Sequence, residues 1–220
     1  MNKIIYHGST EIVVNPEKRK GKINNDYGQG FYCTYDIELA KEWAAKHNTI
    51  CFVNEYELDL SNLKILNLID KKYSVLNWLA ILLQNRTFNI TSPLSLKAKE
   101  FILEKYLIDT SSYDVIIGYR ADDSYFAIAK SFLNNSLSLK SLEIALKLGD
   151  LGIQIALVSN EAFQKLTFKK SHDVDYEIYN IQFYSKDENA RRVFLTEINN
   201  YELTADDLYI SDIIKKENKK

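Results

Sequence analysis

Asn24-Asn25-Asp26-Tyr27-Gly28-Gln29-Gly30-Phe31-Tyr32-Cys33-Thr34, residues 24–34, is the stretch on which the fold of this chain turns. Its two glycines, one residue apart, allow a tight, closely packed turn. The run 31–34 behind them has strand character and presents Tyr32 on one face, with Phe31 and Cys33 on the other. The order of parts matters. A dinucleotide fingerprint or a phosphate loop needs a strand before the glycines and a helix straight after, whereas here the strand follows them. Alone, such a turn is commonplace.

Upstream, residues 4–7 read as a short first strand ending in Tyr6-His7-Gly8-Ser9. A histidine there can offer one ring nitrogen to a hydroxyl, and Gly8 lets a ligand come close to bare backbone. A lone histidine at a strand end is more often a plain surface or core residue. Downstream, Asp36 is the expected N-cap of an amphipathic helix over 37–47, because its side-chain oxygen can accept first-turn amide hydrogens. That helix carries Trp43, which shares a face with Leu39 and Lys46 at a spacing equally suited to ordinary packing.

Further along, a strand is expected over 50–58, and residues 73–86 and 95–106 place apolar side chains at helical intervals. The compact β-branched run 113–118 reads as a buried strand, followed by helices over 123–133 and 138–148. After a turn at 149–152 comes another strand, 153–158. Residues 170–220 are mixed in pattern, and the lysine-rich end 213–220 reads as a frayed polar tail.

Composition limits what these motifs can mean. The chain has 220 residues, 46% of them hydrophobic, enough for one full core. Its 28 basic and 30 acidic residues give a formal net charge of -2, so no global positive field would hold a polyanion. The knot Lys18-Arg19-Lys20 with Lys22 could greet a pyrophosphate or a nucleic-acid acceptor, but such clusters are usually solvated loop. Two cysteines, Cys33 and Cys51, lack the spacing of a zinc site or disulfide framework, and three histidines lack partners at metal spacing. No metal is expected. With no apolar stretch of signal-peptide or membrane-spanning length, the expected setting is cytoplasmic, away from membranes.

Taken together, the first strand with His-Gly-Ser, the second with Gly-x-Gly-aromatic-Tyr and the helix with its tryptophan resemble the ADP-ribosyltransferase superfamily of the histidine-tyrosine-glutamate type. The wording YHGST, NNDYGQGFYCT and an alanine-tryptophan helix is closer still to a bacterial family of small transferase-like proteins within it. The resemblance runs over about residues 1–168 and is strongest before residue 50. It implies an α+β fold, a split β-sandwich with a helical insertion at about 70–110 inside a domain spanning 1–170. Residues 171–220 would be a C-terminal extension packed on that domain.

The resemblance also implies NAD as co-substrate. His7 would bond a ribose hydroxyl on the adenosine side, the Gly8 backbone would hold the carboxamide, and Tyr32 and Trp43 would stack on either side of the nicotinamide ring. A flat cationic pyridinium suits two aromatic faces on physical grounds as well. The expected NAD-binding set is His7, Gly8, Ser9, Gly30, Tyr32, Trp43 and Arg120. The residues expected to act in the reaction are His7, Tyr32, Gln154 and Asp122.

Gln154 is where the chain departs from the family pattern, since the matching strand normally opens with a catalytic glutamate. Breaking the glycosidic bond of NAD builds positive charge on the ribose, which a carboxylate both hydrogen-bonds and opposes. A glutamine keeps only the first role. Loss of one preorganised electrostatic stabiliser costs about 2.7–4 kcal/mol, a factor on the order of a hundred to a thousand in rate. A modest transferase survives that loss, and polymer building does not fit it. Asp122 or Asp123, after the strand ending at Gly118, could compensate, with Arg120 near a phosphate. Alternatively Asp123 caps the next helix and Arg120 makes a structural ion pair.

Three activities remain open on this reading. The first is a mono-ADP-ribosyltransferase acting on a protein or nucleic acid, in the manner of a toxin with a small neutralising antitoxin. The second is an NAD glycohydrolase, and the third a degenerate module that binds NAD or a protein and catalyses nothing. The related removal of 2'-phosphates from RNA needs further histidine and arginine positions not found in this chain.

Overall fold

In the computed structural model, residues 1–46, 50–121, 123–148, 152–201, 204 and 207–217 are described. The chain is α+β and divides into two units. The first comprises Met1–Asp70, Asp109–Arg120 and Gly152–Lys186, and the second Lys71–Ile108, Ala121–Leu151 and Asp187–Lys220.

Unit one holds two sheets. In the first, β1 (Asn2–Ser9), β3 (Phe52–Asp59) and β7 (Leu166–Asp173) run antiparallel in the order β1-β3-β7. The second has the order β2-β6-β5-β4, built from β2 (Phe31–Cys33), β4 (Ile65–Asn67), β5 (Val115–Tyr119) and β6 (Ile153–Leu157). Its pairs are antiparallel except β4 with β5, which is parallel. An isolated bridge, Tyr6 with Thr34, ties the first sheet to the strand end of the second.

Alternation explains why the sheets close on each other. Ile5, Tyr56 and Leu58 from the first sheet and Phe31, Cys33, Val115, Ile155 and Leu157 from the second form one buried cluster. Phe31 stands edge-on to Tyr56, with ring centroids 5.4 Å apart.

Helix α1 (Ile37–Ala44) begins as its cap dictates, with Asp36 Oδ1 accepting from the Glu38 and Leu39 amides at 2.9 and 3.4 Å. The helix ends at Ala44 with Ala45 as its C-cap, short of the expected 37–47, and residue 47 lies outside the described residues. The short α6 (Asn160–Gln164) leads into β7. The start of α7 (Tyr176–Asn200) sets Tyr176 and Tyr179 against Ala44, Ala45 and Cys51.

Unit two is helical, with α2 (Val75–Asn85), α3 (Pro93–Tyr106), α4 (Asp123–Leu133), α5 (Leu139–Leu148) and α8 (Ile210–Glu217). Helix α2 is the apolar one: Leu76, Trp78, Leu79, Ala80, Ile81, Leu82 and Leu83 are all buried. Ser74 and Asn77 form a capping box at its start, and Ser92 caps α3 ahead of Pro93. The expected frayed tail, 213–220, is corrected over 213–217, and 218–220 lie outside the described residues. Ile210, Ile213 and Ile214 are buried on one face of α8, so burial of that apolar stripe holds the segment helical to Glu217. Among the described residues no helix is long and apolar enough to cross a membrane.

Candidate functional site

The glycine-punctuated loop is fastened to the second sheet by side chains it carries itself. Gly28 has φ +80°, a conformation that L side chains rarely adopt, and it turns the loop back. The Tyr32 hydroxyl donates to the Gly28 carbonyl at 2.6 Å and accepts the Tyr27 amide at 3.0 Å, so the strand closes its own preceding turn. The Tyr27 hydroxyl donates to the Tyr119 carbonyl at the end of β5, at 2.7 Å. Room for that ring comes from Gly118, where a Cβ would stand 2.1 Å from the Tyr27 hydroxyl. Gly30 lies against the Leu157 carbonyl of β6, and Gln29 donates to the carbonyls of Arg19 and Gly21.

His7 joins this loop from the first sheet. Its ring centroid lies 4.2 Å from that of Phe31, and Nδ1 lies 2.7 Å from the Tyr32 carbonyl oxygen. A carbonyl only accepts, so Nδ1 carries the proton. Burial pushes the imidazole pKa below its ordinary value, against a smaller opposing pull from that hydrogen bond. The ring is therefore neutral near pH 7, with an accepting lone pair on Nε2. Gly8, beside it, lies close against helix backbone: a Cβ there would be 2.2 Å from the Ala40 carbonyl oxygen of α1. Ser9 Oγ accepts the Glu11 amide.

Gln154 sits in β6 opposite Gly118 and is buried. Its amide nitrogen donates to Asp26 Oδ2 at 2.7 Å and to the Tyr119 carbonyl at 3.3 Å. Asp26 is itself buried, so a carboxylate absent from the expected site stands directly behind the glutamine. The sequence offers one signal for it, its place immediately before Tyr-Gly-x-Gly.

Trp43 and Arg120 come together. The guanidinium lies over the indole at 4.9 Å and over the Phe183 ring at 5.5 Å. Arg120 is thus held between aromatic groups, and one face of Trp43 carries a cation. The indole Nε1 is buried and without a hydrogen-bond partner among the described residues. Asp122 lies outside the described residues, and Asp123 is the first residue of α4.

Other groups are less suited to chemistry. Burial raises the pKa of both Cys33 and Cys51, which keeps these free thiols protonated and poor nucleophiles. The basic knot forms an exposed 3-10 turn, Lys18–Lys20, in which Arg19 and Lys20 pair with Glu17 at 2.7 and 2.9 Å. No cluster of potential metal ligands occurs among the described residues.

The site therefore presents a neutral accepting imidazole, a tyrosine ring tethered by its hydroxyl, and an amide backed by a carboxylate, all within unit one. No curated protein and no solved structure matches the chain. A family model does match, over residues 3–168, and the chain belongs to that family, described as "Protein of unknown function (DUF3990)".

Proposed function

We propose that this chain binds NAD and transfers its ADP-ribose unit to a macromolecular acceptor, as a mono-ADP-ribosyltransferase with a split β-sandwich core. The observation that carries this reading is the His7–Tyr32 junction. Two separate strands, one from each sheet, bring an imidazole with an accepting Nε2 to the backbone of a tyrosine whose ring is locked in place. Nε2 accepts a ribose hydroxyl, and the Tyr32 ring offers a flat apolar face to nicotinamide. Arg120, spread over Trp43 and Phe183, has a planar donor fork suited to a phosphate.

In the reaction the C1'–nitrogen bond of the nicotinamide ribose breaks, and its electron pair neutralises the pyridinium. An acceptor oxygen or nitrogen then bonds C1' and loses its proton. The chain is weakly charged overall, so acceptor choice rests on local shape rather than on a general attraction for polyanions. The resemblance in its first 50 residues favours the toxin of a cytoplasmic toxin–antitoxin pair, with a small protein as neutralising partner.

A second reading, an NAD-binding module without turnover, is favoured by one feature: Gln154 is neutral where a carboxylate would act. Calorimetry with NAD, run beside a nicotinamide-release assay on the same preparation, separates the two. Transfer predicts saturable binding, release of nicotinamide and label from NAD on one component of a lysate. Release with free ADP-ribose and no labelled macromolecule indicates hydrolysis, and binding without release indicates the module. His7→Ala and Tyr32→Ala abolish binding on the proposed reading; full activity in both variants would overturn the site.

A further inference from the structure

The buried pair Asp26 and Gln154 gives the site a carboxyl group that the glutamine alone lacks. We infer that Asp26 is a positioning residue that orients and polarises the Gln154 amide, so that Gln154 Oε1 does the accepting work of a carboxylate toward the nicotinamide-side ribose. This inference rests on the NAD reading above and specifies how that reading works without a glutamate.

Orientation follows from hydrogen-bond geometry. The amide nitrogen carries two N–H groups, and it lies within reach of two acceptors: the Asp26 carboxylate at 2.7 Å and the Tyr119 carbonyl at 3.3 Å. The flipped amide would set its oxygen against both of these oxygens, so one orientation is fixed. Oε1 is then the polar atom that the side chain has left to offer a ligand.

Polarisation follows from the partner's charge. A hydrogen bond to a carboxylate is about twice as strong as a neutral one. In a buried chain of such bonds each member strengthens the next, so electron density pushed from the N–H side accumulates on Oε1. When the C1'–nitrogen bond breaks and the ribose turns cationic, its hydroxyl donates more strongly. The amide oxygen opposes that charge better than an isolated glutamine does.

The architecture guards the pair. Asp26 belongs to the loop that Tyr27 ties to Tyr119, and Tyr119 also receives the second Gln154 hydrogen bond. One carbonyl thus registers both the loop and the amide.

The test uses the full chain and NAD, reading calorimetric affinity and the single-turnover rate of nicotinamide release in Asp26→Asn, Gln154→Glu and the double variant. In Asp26→Asn the introduced amide oxygen still accepts the glutamine N–H but carries no charge. This variant should leave NAD affinity within about twofold and slow release about tenfold, the signature of a group acting in the transition state. Gln154→Glu sets two carboxylates together and should lose activity. In the double variant the hydrogen bond runs the other way, from the introduced asparagine amide to the introduced carboxylate, which still faces the Tyr119 carbonyl, and the rate should rise well above that of Gln154→Glu.

A wild-type release rate in Asp26→Asn overturns the inference, as does a double variant no faster than Gln154→Glu. Should Asp26→Asn fail to fold, the double variant still decides, because there the introduced amide has a charged partner. If the wild-type chain neither binds NAD nor releases nicotinamide, the functional reading itself fails and the pair's role falls with it.

Discussion

An imidazole held with its Nδ1–H on a backbone carbonyl and its ring against Phe31 links the proposed ligand binding to stability at one residue. Burial lowers the folded-state pKa of His7, whereas the unfolded chain protonates histidine near pH 6.5. Between the two values the unfolded state binds more protons, so this contribution is fully present above the unfolded value and declines as pH falls toward the folded one. Below the folded value no further loss occurs. Urea unfolding of the wild type and of His7→Asn at about pH 7.5, 6.5 and 5.5 checks this, since other titrating groups cancel in the difference. The wild type should lose stability relative to the variant as pH falls across that range. A pH-independent difference would show that the ring is not held neutral. For binding the sign is the same, because protonation removes the Nε2 acceptor, so NAD affinity should hold through neutrality and weaken on the acid side.

At the scale of elements, glycine decides how closely backbones approach. Strand β1 packs on α1 at Gly8, where a Cβ would meet the Ala40 carbonyl oxygen at 2.2 Å and the Ala44 amide nitrogen at 2.7 Å. Neither is the end of a flexible side chain, so Gly8→Ala must move the helix. It should cost about 3 kcal/mol, at the upper end of overpacking, as measured by denaturant unfolding. A loss below about 1 kcal/mol would mean that β1 and α1 are not in this contact. In sequence Gly8 suggests a ligand's approach, and only the fold reveals the helix behind it.

The same contrast holds elsewhere. Asp36 and the periodic apolar runs announce α1, α3 and α4, because caps and periodicity are local. Strand β4 is not legible in this way, for Ile65-Leu66-Asn67 is too short for a pattern and exists through parallel pairing with Val115, Ile116 and Ile117. In strand β7 Lys169 and Lys170 mask the alternation, and pairing with β3 supplies what the residues do not announce. In the site, His7 and Tyr32 stand out from their motifs and are joined by a hydrogen bond. Asp26 stands in the quoted motif without a visible role, since its partner lies 128 residues away.

For the whole molecule, the division into two units dictates where ligand effects are felt. The described residues of the proposed pocket belong to unit one, on β1, the 24–34 loop, α1, the end of β5 and β6. A ligand that binds only the folded state stabilises it by about 2.7 kcal/mol at a hundredfold excess over Kd. Amide hydrogen exchange with and without NAD resolves that gain by segment, because exchange reports local as well as global opening. Slowing should be greatest over residues 24–34, whose closure depends on the Tyr27 and Tyr32 hydroxyls, and over β5 and β6. Helices α2 and α3 of unit two, with their own apolar interior, should change little. Protection of α2 and α3 with none over 24–34 would place NAD elsewhere and remove His7 and Tyr32 from the binding site.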